Sequence, residues 1–430
     1  MKPGLRRVPP PDLDAIGSDT TLVAKIRDEI ATTGPITFAR FMELALYDPD
    51  GGYYRAEAAR PGRGGDFLTA PEAHPIFGRA IARHVADVWR LLGSPAPFSI
   101  REFGAGGGAL AAALLDGLAR EVPDIEAVVR YRPVEVEGRR LDELRMRLAA
   151  AGSPVADVPV EPDPGEPIVG IAFANEVLDA LPTHRLVARG GLLHEVFVGW
   201  GTDGAGEGFV DVEAEPSSPA LAQRLRAEGV RLAEGQAAEV CLAVDGWVAS
   251  AAAGLERGEL LLIDYGHAAD ALYDAVRRPR GTVLAYLRHV AHDAIYRAVG
   301  RQDLTAHVDV TAVERAAAQA GLAHLATVDQ GPFLAALGAG ELLVELQSDG
   351  ASGAGGGTGA GDNAGAGAAD LKAYLEARAA LVRMIDPAAM GAFRVMAFGR
   401  GLPPGALPRG LDVRGGLPGD LTEPHQTPPN

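Results

Sequence analysis

Residues 101–115 read as a short strand, a glycine-rich turn and a helix, and this segment constrains the fold more than any other. The turn, Gly-Ala-Gly-Gly-Gly-Ala at 104–109, lets backbone amides approach a ligand, because a Cβ atom at the glycines would block the approach. The helix that follows offers free N–H groups and a partial positive charge. The segment predicts a site for a nucleotide-like cofactor, with a tight strand-to-helix turn as the alternative.

Strands and helices alternate around this turn. The core pattern predicts strands at 98–103, 129–136, 168–174 and 259–264, and helices at 75–92, 107–120 and 138–150. Such alternation is typical of an α/β fold with a parallel sheet, in which ligands bind at the carboxyl ends of the strands. Outside it we expect helices at 20–33, 37–47 (Thr37 as N-cap), 219–233, 236–256, 312–320 (opened by a Thr311–Glu314 capping box) and 370–384, a hairpin of strands 184–189 and 192–200, a loop at 201–218, and a last strand at 390–400.

Two glutamates favour one class of cofactor. Glu102 ends the first core strand in the mouth of the turn, where a carboxylate would repel a pyrophosphate and attract a sulfonium or ammonium group. Glu135 ends the second strand, where an acidic residue binds ribose hydroxyls. Both favour S-adenosylmethionine (SAM). The glycines also fit the dinucleotide fingerprint G-x-G-x-x-G/A, so an NAD(P)-dependent oxidoreductase remains an alternative.

Composition limits the remaining classes. The net charge of −17 argues against nucleic-acid binding and suits a basic protein partner, or serves solubility alone. No apolar run reaches the length of a membrane helix, and the first residues lack the apolar core of a signal peptide, so we expect a cytoplasmic protein without membrane insertion. The one cysteine, Cys241, is predicted to be buried on a helix, and no Cys/His cluster suggests a metal site.

The chain is expected to divide into a few regions. These are a disordered lead-in at 1–18, an N-terminal helical or lid region at 19–96, the catalytic core at 97–400 and a disordered tail at 401–430. The core is expected to carry two insertions, a hairpin with helices at 190–257 and a low-complexity loop at 348–369.

Seven separated motifs together resemble the MidA-like family of SAM-dependent methyltransferases. They are GDFLTAPEAHPIFG (65–78), EFGAGGG (102–108), ANEVLDALP (174–182), LLLIDYG (260–266), GTVLAYLRH (281–289), DLTAHVD (303–309) and MGAFRVM (390–396). The resemblance implies a class I methyltransferase fold, a Rossmann-like sheet of seven mostly parallel strands with an N-terminal helical region. It implies SAM as cofactor and a protein substrate, with an arginine side chain as the best expectation, because the family includes a mitochondrial arginine methyltransferase of complex I assembly. We expect a monomer or a homodimer.

The resemblance also implies a cofactor site. Gly104, Gly106 and Gly108 would line the methionine portion of SAM. The segment before helix 75–92 would close over the cofactor with three polar contacts, Asp66, Thr69 and Glu72, or it is simply a hydrogen-bonded loop. The family's turn more often carries a proline, an arginine and a threonine that this chain lacks. A SAM-binding assembly protein without turnover is therefore a second alternative.

Candidate catalytic residues follow the strand at 168–174. A guanidinium stays protonated to a pH above ~12, so carboxylates must orient it and accept its proton. Asn175 and Glu176 are predicted to hold the nucleophile with Asp179 in support, the alternative for Asn175 and Asp179 being a helix cap. Other candidates at this edge, each with a structural alternative, are Asp264, Tyr265, His289 and His307.

Overall fold

The computed structural model describes residues 12–55, 69–345 and 363–413, apart from residues 162, 164, 204 and 205. Within them the strands are β1 (Ile36–Thr37), β2 (Phe98–Phe103), β3 (Val129–Val134), β4 (Ile168–Asn175), β5 (His184–Arg189), β6 (Leu192–Asp203), β7 (Gly206–Ala214), β8 (Ala237–Val240), β9 (Leu255–Asp264), β10 (Gly266–His267), β11 (Leu284–Leu287), β12 (Val290–His292), β13 (Asp303–Thr305), β14 (Val308–Asp309), β15 (Ala323–Asp329) and β16 (Arg394–Arg400). The helices are α1 (Leu13–Ile16), α2 (Thr20–Thr33), α3 (Phe38–Tyr47), α4 (Ala70–Ala73), α5 (Ile76–Leu91), α6 (Ala109–Glu121), α7 (Gly138–Ala151), α8 (Pro219–Ala227), α9 (Ala243–Ala253), α10 (Ala269–Leu272), α11 (Val310–Gln319), α12 (Gln330–Ala336) and α13 (Asn363–Ile385).

The core is an α/β sheet in the order β15-β16-β9-β4-β2-β3, which confirms the predicted class. Strands β3, β2, β4 and β9 are mutually parallel, whereas β16 lies antiparallel between β9 and β15. The described sheet has six strands rather than the expected seven. A seventh position is reduced to one parallel bridge from Tyr131 to Val160, where Pro159 has no N–H with which to extend a ladder.

Helices cover both faces of the sheet, so its strands are apolar on both sides. Along β9, Leu261 and Ile263 pack on the face covered by α5 and α6. Leu260 and Leu262 pack on the opposite face, against α9 and α11. This two-residue alternation leaves the strand ends as the places where polar side chains meet solvent.

A second, antiparallel sheet carries β1, β6, β5 and β8 in that order, with β7 paired to β6. It confirms the hairpin of β5 and β6. Three other predictions for this region are corrected. The expected loop at 201–218 contains β7, which pairs with β6 from Glu195–Ala214 to Asp203–Gly206. The expected helix at 236–256 is a strand, a shorter helix and the start of β9, because residues 237–240 pair with β5. The expected helix at 219–233 ends at Ala227.

The N-terminal helices pack on this second sheet. Phe41 of α3 meets Phe209 of β7 edge to face, with ring centroids 5.2 Å apart. Thr37 caps α3 as predicted, its side chain accepting from the Arg40 N–H. The predicted capping box at Thr311 is wrong. Helix α11 begins at Val310 and is capped by Asp309, whose carboxylate accepts from the Ala312 N–H.

The chain after β16 is ordered as far as it is described. The tail expected to be disordered from 401 packs on the core through 413: Leu411 is buried, and Arg409 pairs with Asp87 on α5. The buried His84 ring bonds to the Arg409 carbonyl oxygen at 2.7 Å and to the Glu259 carboxylate at 2.8 Å. Helix α13 begins at 363, inside the expected loop at 348–369. The lead-in expected to be disordered at 1–18 is described from residue 12 and contains α1. Residues 1–11, 346–362 and 414–430 lie outside the described residues.

Candidate active site

A cavity of about 360 Å³ opens at the carboxyl ends of β2, β3 and β4, within the range of about 300–1,000 Å³ typical of cofactor and ligand sites. It contains most of the predicted site residues that the structure describes. Its walls are formed by Tyr47, Tyr53, Tyr54, Thr69, Pro71, Glu72, Glu102, Phe103, Gly104, Ala105, Gly106, Gly107, Ala109, Leu110, Val134, Glu135, Val136, Arg140, Asn175, Glu176, Val177, Ala180, Leu181 and Trp247.

The glycine turn has the backbone that its sequence requires. Gly104, Gly106 and Gly108 have φ angles of +67°, +52° and +77°, a region that side-chain-bearing residues rarely adopt. A Cβ on Gly106 would point into open space, whereas one on Gly104 would lie 2.8 Å from a methyl group of Val177. Gly106 thus leaves room that a side chain would fill. A Cβ on Gly108 would meet Leu144 of α7 at 2.8 Å, so this glycine serves helix packing and is not among the cavity's lining residues.

Glu135 connects the end of β3 to the glycine turn. One carboxylate oxygen accepts from the Gly106 N–H at 2.9 Å, and the other accepts from the Val136 N–H at 2.7 Å. The carboxylate also lines the cavity. It therefore stands beside the turn with oxygens facing the space that a cofactor would occupy.

Glu102 lies deep in the same wall. Its side chain is only 4% exposed and accepts a hydrogen bond from the Tyr131 hydroxyl. Burial raises the pKa of Glu102 to about 8; the Tyr131 hydrogen bond lowers this pKa and the charge of Glu135 raises it. A cation beside this carboxyl group would favour its ionised form and lower its pKa again.

The loop after β4 carries Asn175 and Glu176 into the cavity. Glu176 has a φ of +53°, a strained conformation for a non-glycine residue and one often found at functional sites. The Asn175 amide donates to the Glu176 carboxylate at 3.3 Å. The buried Asn175 carbonyl oxygen has no hydrogen-bond partner among the described residues, so it is available to a ligand.

Asp264 holds this loop in place. Its fully buried carboxylate accepts from the backbone N–H groups of Val177, Leu178 and Asp179 at 3.1, 2.9 and 3.2 Å. Asp179 itself is buried, accepts from the Tyr265 hydroxyl and does not line the main cavity. The predicted supporting role of Asp179 is thus one of structure behind the site, and Asp264 is the residue that orders the loop.

The segment before α5 is described only in part. Thr69 and Glu72 line the cavity, whereas Asp66 lies outside the described residues. Burial raises the pKa of Glu72, which lies 4.0 Å from Arg147.

Two of the remaining candidates lie elsewhere. His307 lines a separate cavity of about 20 Å³ beside Asp179, and its ring meets that of Tyr265 with centroids 5.3 Å apart. His289 does not line either cavity. Cys241 lies between β8 and α9, not on a helix, and is half-buried with its thiol 3.5 Å from the Pro182 carbonyl oxygen.

An aromatic wall was not predicted. Tyr47, Tyr53 and Tyr54 line the cavity from the N-terminal region, and Trp247 lines it from α9. The rings of Tyr47 and Tyr54 stack with centroids 5.4 Å apart and planes inclined by 25°. The tyrosine-rich run YDPDGGYY at 47–54 was the available signal.

The chemistry of the site fits SAM. Among the described residues, no group of three His, Cys, Asp or Glu side chains could hold a metal ion. Glycines with left-handed backbone, a buried acid at the end of β2 and an acid at the end of β3 suit a sulfonium, an ammonium and a ribose diol. In the same described residues, no helix is long and apolar enough to cross a membrane.

Comparisons with known proteins agree with this geometry. A family described as S-adenosyl-L-methionine-dependent methyltransferase matches residues 80–328. A crystal structure from Burkholderia thailandensis, bound to S-adenosyl-homocysteine, is similar over 95% of this chain and 98% of its own, with 33% identity and a TM-score of 0.79.

Two curated relatives are similar to this chain over 73% and 74% of its length. The mitochondrial protein arginine methyltransferase NDUFAF7 homolog of Drosophila melanogaster is 30% identical over 345 residues, 73% of this chain and 74% of its own. The human protein arginine methyltransferase NDUFAF7 is 27% identical over 358 residues, 74% of each chain. Both are named as mitochondrial, which contradicts the cytoplasmic location expected above.

Proposed function

The chain belongs to the family of SAM-dependent methyltransferases, and we propose that it transfers the methyl group to an arginine side chain of a protein. Membership of this family removes the oxidoreductase alternative and fixes SAM as the cofactor. The proposal of arginine is supported by the names of the curated relatives, which are protein arginine methyltransferases.

The charge of the cavity is the observation that carries the proposal. Four carboxyl groups line it against one arginine, Arg140. The four are Glu72, Glu102, Glu135 and Glu176. A site of this sign attracts a cationic acceptor and a cationic cofactor and repels phosphate-bearing substrates.

We assign the cofactor to the glycine turn and the two glutamates beside it. The turn at 104–106 would bring backbone amides to the methionine portion, Glu102 would accept from its ammonium group, and Glu135 would accept from the ribose hydroxyls. When bound, SAM supplies an electrophilic methyl group on a positively charged sulfur. Thr69 and Glu72 would contact the cofactor from the segment before α5.

We assign the acceptor to the end of β4. The Asn175 carbonyl oxygen can accept from a guanidinium N–H, and the Glu176 carboxylate can orient the guanidinium and receive the proton that it loses. Because methyl transfer is an in-line displacement, holding the nucleophile in line is the main task of these two residues. We expect the protein to be a monomer or a homodimer.

The experiment is a pair of measurements on the same protein samples. Titration calorimetry with SAM should give micromolar binding in the wild type, weakened by about 1–3 kcal/mol in Glu135→Ala, which loses a charged acceptor. Asp142→Asn, which removes an exposed carboxylate on α7, is the matched control and should bind SAM like the wild type.

The acceptor is tested with methyl-labelled SAM and a mixture of basic proteins, followed by mass spectrometry of the labelled peptides. Methyl groups on arginine that vanish in Glu176→Gln, while SAM binding persists, would support the proposal. Label on another residue type would refute arginine, and SAM binding without any transfer would favour the non-catalytic alternative for this chain.

A further inference from the structure

We propose that the stacked rings of Tyr47 and Tyr54 form the surface that recognises the positive charge of the acceptor side chain. The inference rests on the proposed function, because it concerns the acceptor end of the same cavity. It assigns specificity for a planar cation to two residues of the N-terminal region, outside the methyltransferase core sheet.

The two rings share the cavity with the acceptor residues. Tyr47 is the last residue of α3, and Tyr54 lies in the single helical turn Tyr53–Arg55. Both are half-buried, and both line the cavity that also contains Asn175 and Glu176. A side chain held by Glu176 would therefore share this cavity with the two rings.

Each ring is fixed by its hydroxyl group. Tyr47 donates to the Ala180 carbonyl oxygen at 3.0 Å, on the same loop as Glu176. Tyr54 donates to the Asp303 carboxylate at 2.9 Å, across 249 positions of sequence. The rings are thus tied to the acceptor loop and to the DLTAHVD segment, which gives that motif a physical purpose.

Buried negative charge lies behind the rings. Asp303 is 1% exposed and Asp179 is 4% exposed. Burial, and after it the charge of Asp303, raises the pKa of both tyrosine hydroxyls, so they remain neutral hydrogen-bond donors. A phenol that donates to a carboxylate holds a more electron-rich ring, and an electron-rich ring face attracts cations more strongly.

The shape of the wall favours a guanidinium over an ammonium. A guanidinium is planar and weakly hydrated, so it stacks on an aromatic face while its N–H groups reach a carboxylate at its edge. An ammonium is compact and strongly hydrated and gains less from such a surface. We infer that the Tyr47–Tyr54 surface selects arginine, with Glu176 holding the guanidinium edge.

The test compares two peptides that differ in one group of one side chain, where an uncharged ureido oxygen replaces a guanidinium nitrogen. Each has one central residue, arginine or its uncharged isostere citrulline, between glycines. Calorimetry in saturating S-adenosylhomocysteine prevents turnover and gives the ratio of the two dissociation constants. We expect wild-type protein to favour arginine, and Tyr54→Leu and Tyr47→Leu each to reduce this preference by between about twofold and thirtyfold. Tyr54→Phe, which keeps the ring, should retain most of it.

Tyr296→Leu is the matched control. Tyr296 packs against Phe41 with centroids 5.3 Å apart in the same aromatic cluster but does not line the cavity. Loss of this ring should lower stability and leave the arginine preference unchanged. Affinity for S-adenosylhomocysteine, measured for every variant, shows that the fold and the cofactor site are intact.

The outcomes separate the two proposals. An arginine preference as large in both leucine variants as in the wild type, or a wild type that does not distinguish the peptides, would overturn the role of the tyrosines. Methylation of protein arginine is measured independently, and its absence would instead refute the proposed function.

Discussion

Cofactor binding should release a proton from Glu102. Burial raises the pKa of this carboxyl to about 8, so at pH 7 about nine in ten molecules carry it protonated. An ammonium group beside it would favour the carboxylate and lower the pKa again. Allowing one unit of pKa either way, SAM binding at pH 7 should release between about 0.5 and 1 proton per molecule.

The proton count is measured by calorimetry at pH 7 in several buffers whose ionisation enthalpies differ. The observed binding enthalpy should vary linearly with the ionisation enthalpy of the buffer. The slope should be negative, with a magnitude equal to the number of protons released, because the buffer takes up the released proton. Between pH 6 and 7 the SAM affinity should rise by close to tenfold, because one released proton corresponds to one factor of ten per pH unit. S-adenosylhomocysteine keeps the ammonium group and should release the same fraction.

Two variants isolate the group responsible. Glu102→Gln cannot ionise, so its proton count should fall to near zero and its affinity should no longer depend on pH. Asp142→Asn removes an exposed carboxylate of α7 and should leave the count as in the wild type. A count near zero in wild-type protein, or an undiminished count in Glu102→Gln, would refute the placement of the ammonium group at Glu102.

Three further perturbations test the supporting structure. Gly104→Ala places a side chain at a φ of +67° and 2.8 Å from Val177, so SAM affinity should fall about tenfold, and the double variant with Val177→Ala should recover part of the loss. Asp264→Asn presents amide hydrogens to the backbone N–H groups that Asp264 now accepts from. We therefore expect kcat to fall at least about tenfold, while SAM affinity changes less than threefold. Equal losses in kcat and in affinity would contradict a positioning role. Burial lowers the pKa of His84, but its partner Glu259 raises it, and the net pKa is raised. The contribution of this pair to folding stability is therefore full below about pH 6.5 and is lost as pH rises through the raised pKa. Urea unfolding across pH 5.5–8.5 should show this decline, and His84→Gln should abolish it and destabilise the protein by about 3–5 kcal/mol.

Local patterns were sufficient for the core. The strand at 98–103 is a short, almost continuously buried run, and the helix at 76–91 is long and buried over most of its residues. The glycines at 104, 106 and 108 indicate a left-handed backbone that few other residues adopt. Glu102 and Glu135 were found because a strand end defines a position at the edge of a parallel sheet. For such residues the neighbours that matter are close in sequence or fixed by the fold class.

Long-range pairing explains most of the failures. Residues 237–240 have a pattern compatible with a helix, and they form a strand because β5, some fifty positions earlier, offers an edge. Tyr54 belongs to a tyrosine-rich run, but its place in the site could not be predicted, because its partner Asp303 is 249 positions away. Asp264 was placed at the correct edge, but its three bonds to the acceptor loop depend on the packing of β9 beside β4.

The acceptor side of the site can be assembled fully only after β16 has joined the sheet. This last described strand enters between β9 and β15, and in its register Arg394 lies opposite Asp264. Until residues near 400 have left the ribosome, β9 is an open edge and the residue that orders the acceptor loop sits on an unsupported strand. A nascent or truncated chain can therefore form the glycine turn from residues 98–121 early, yet it gains a finished acceptor loop only when its final strand arrives.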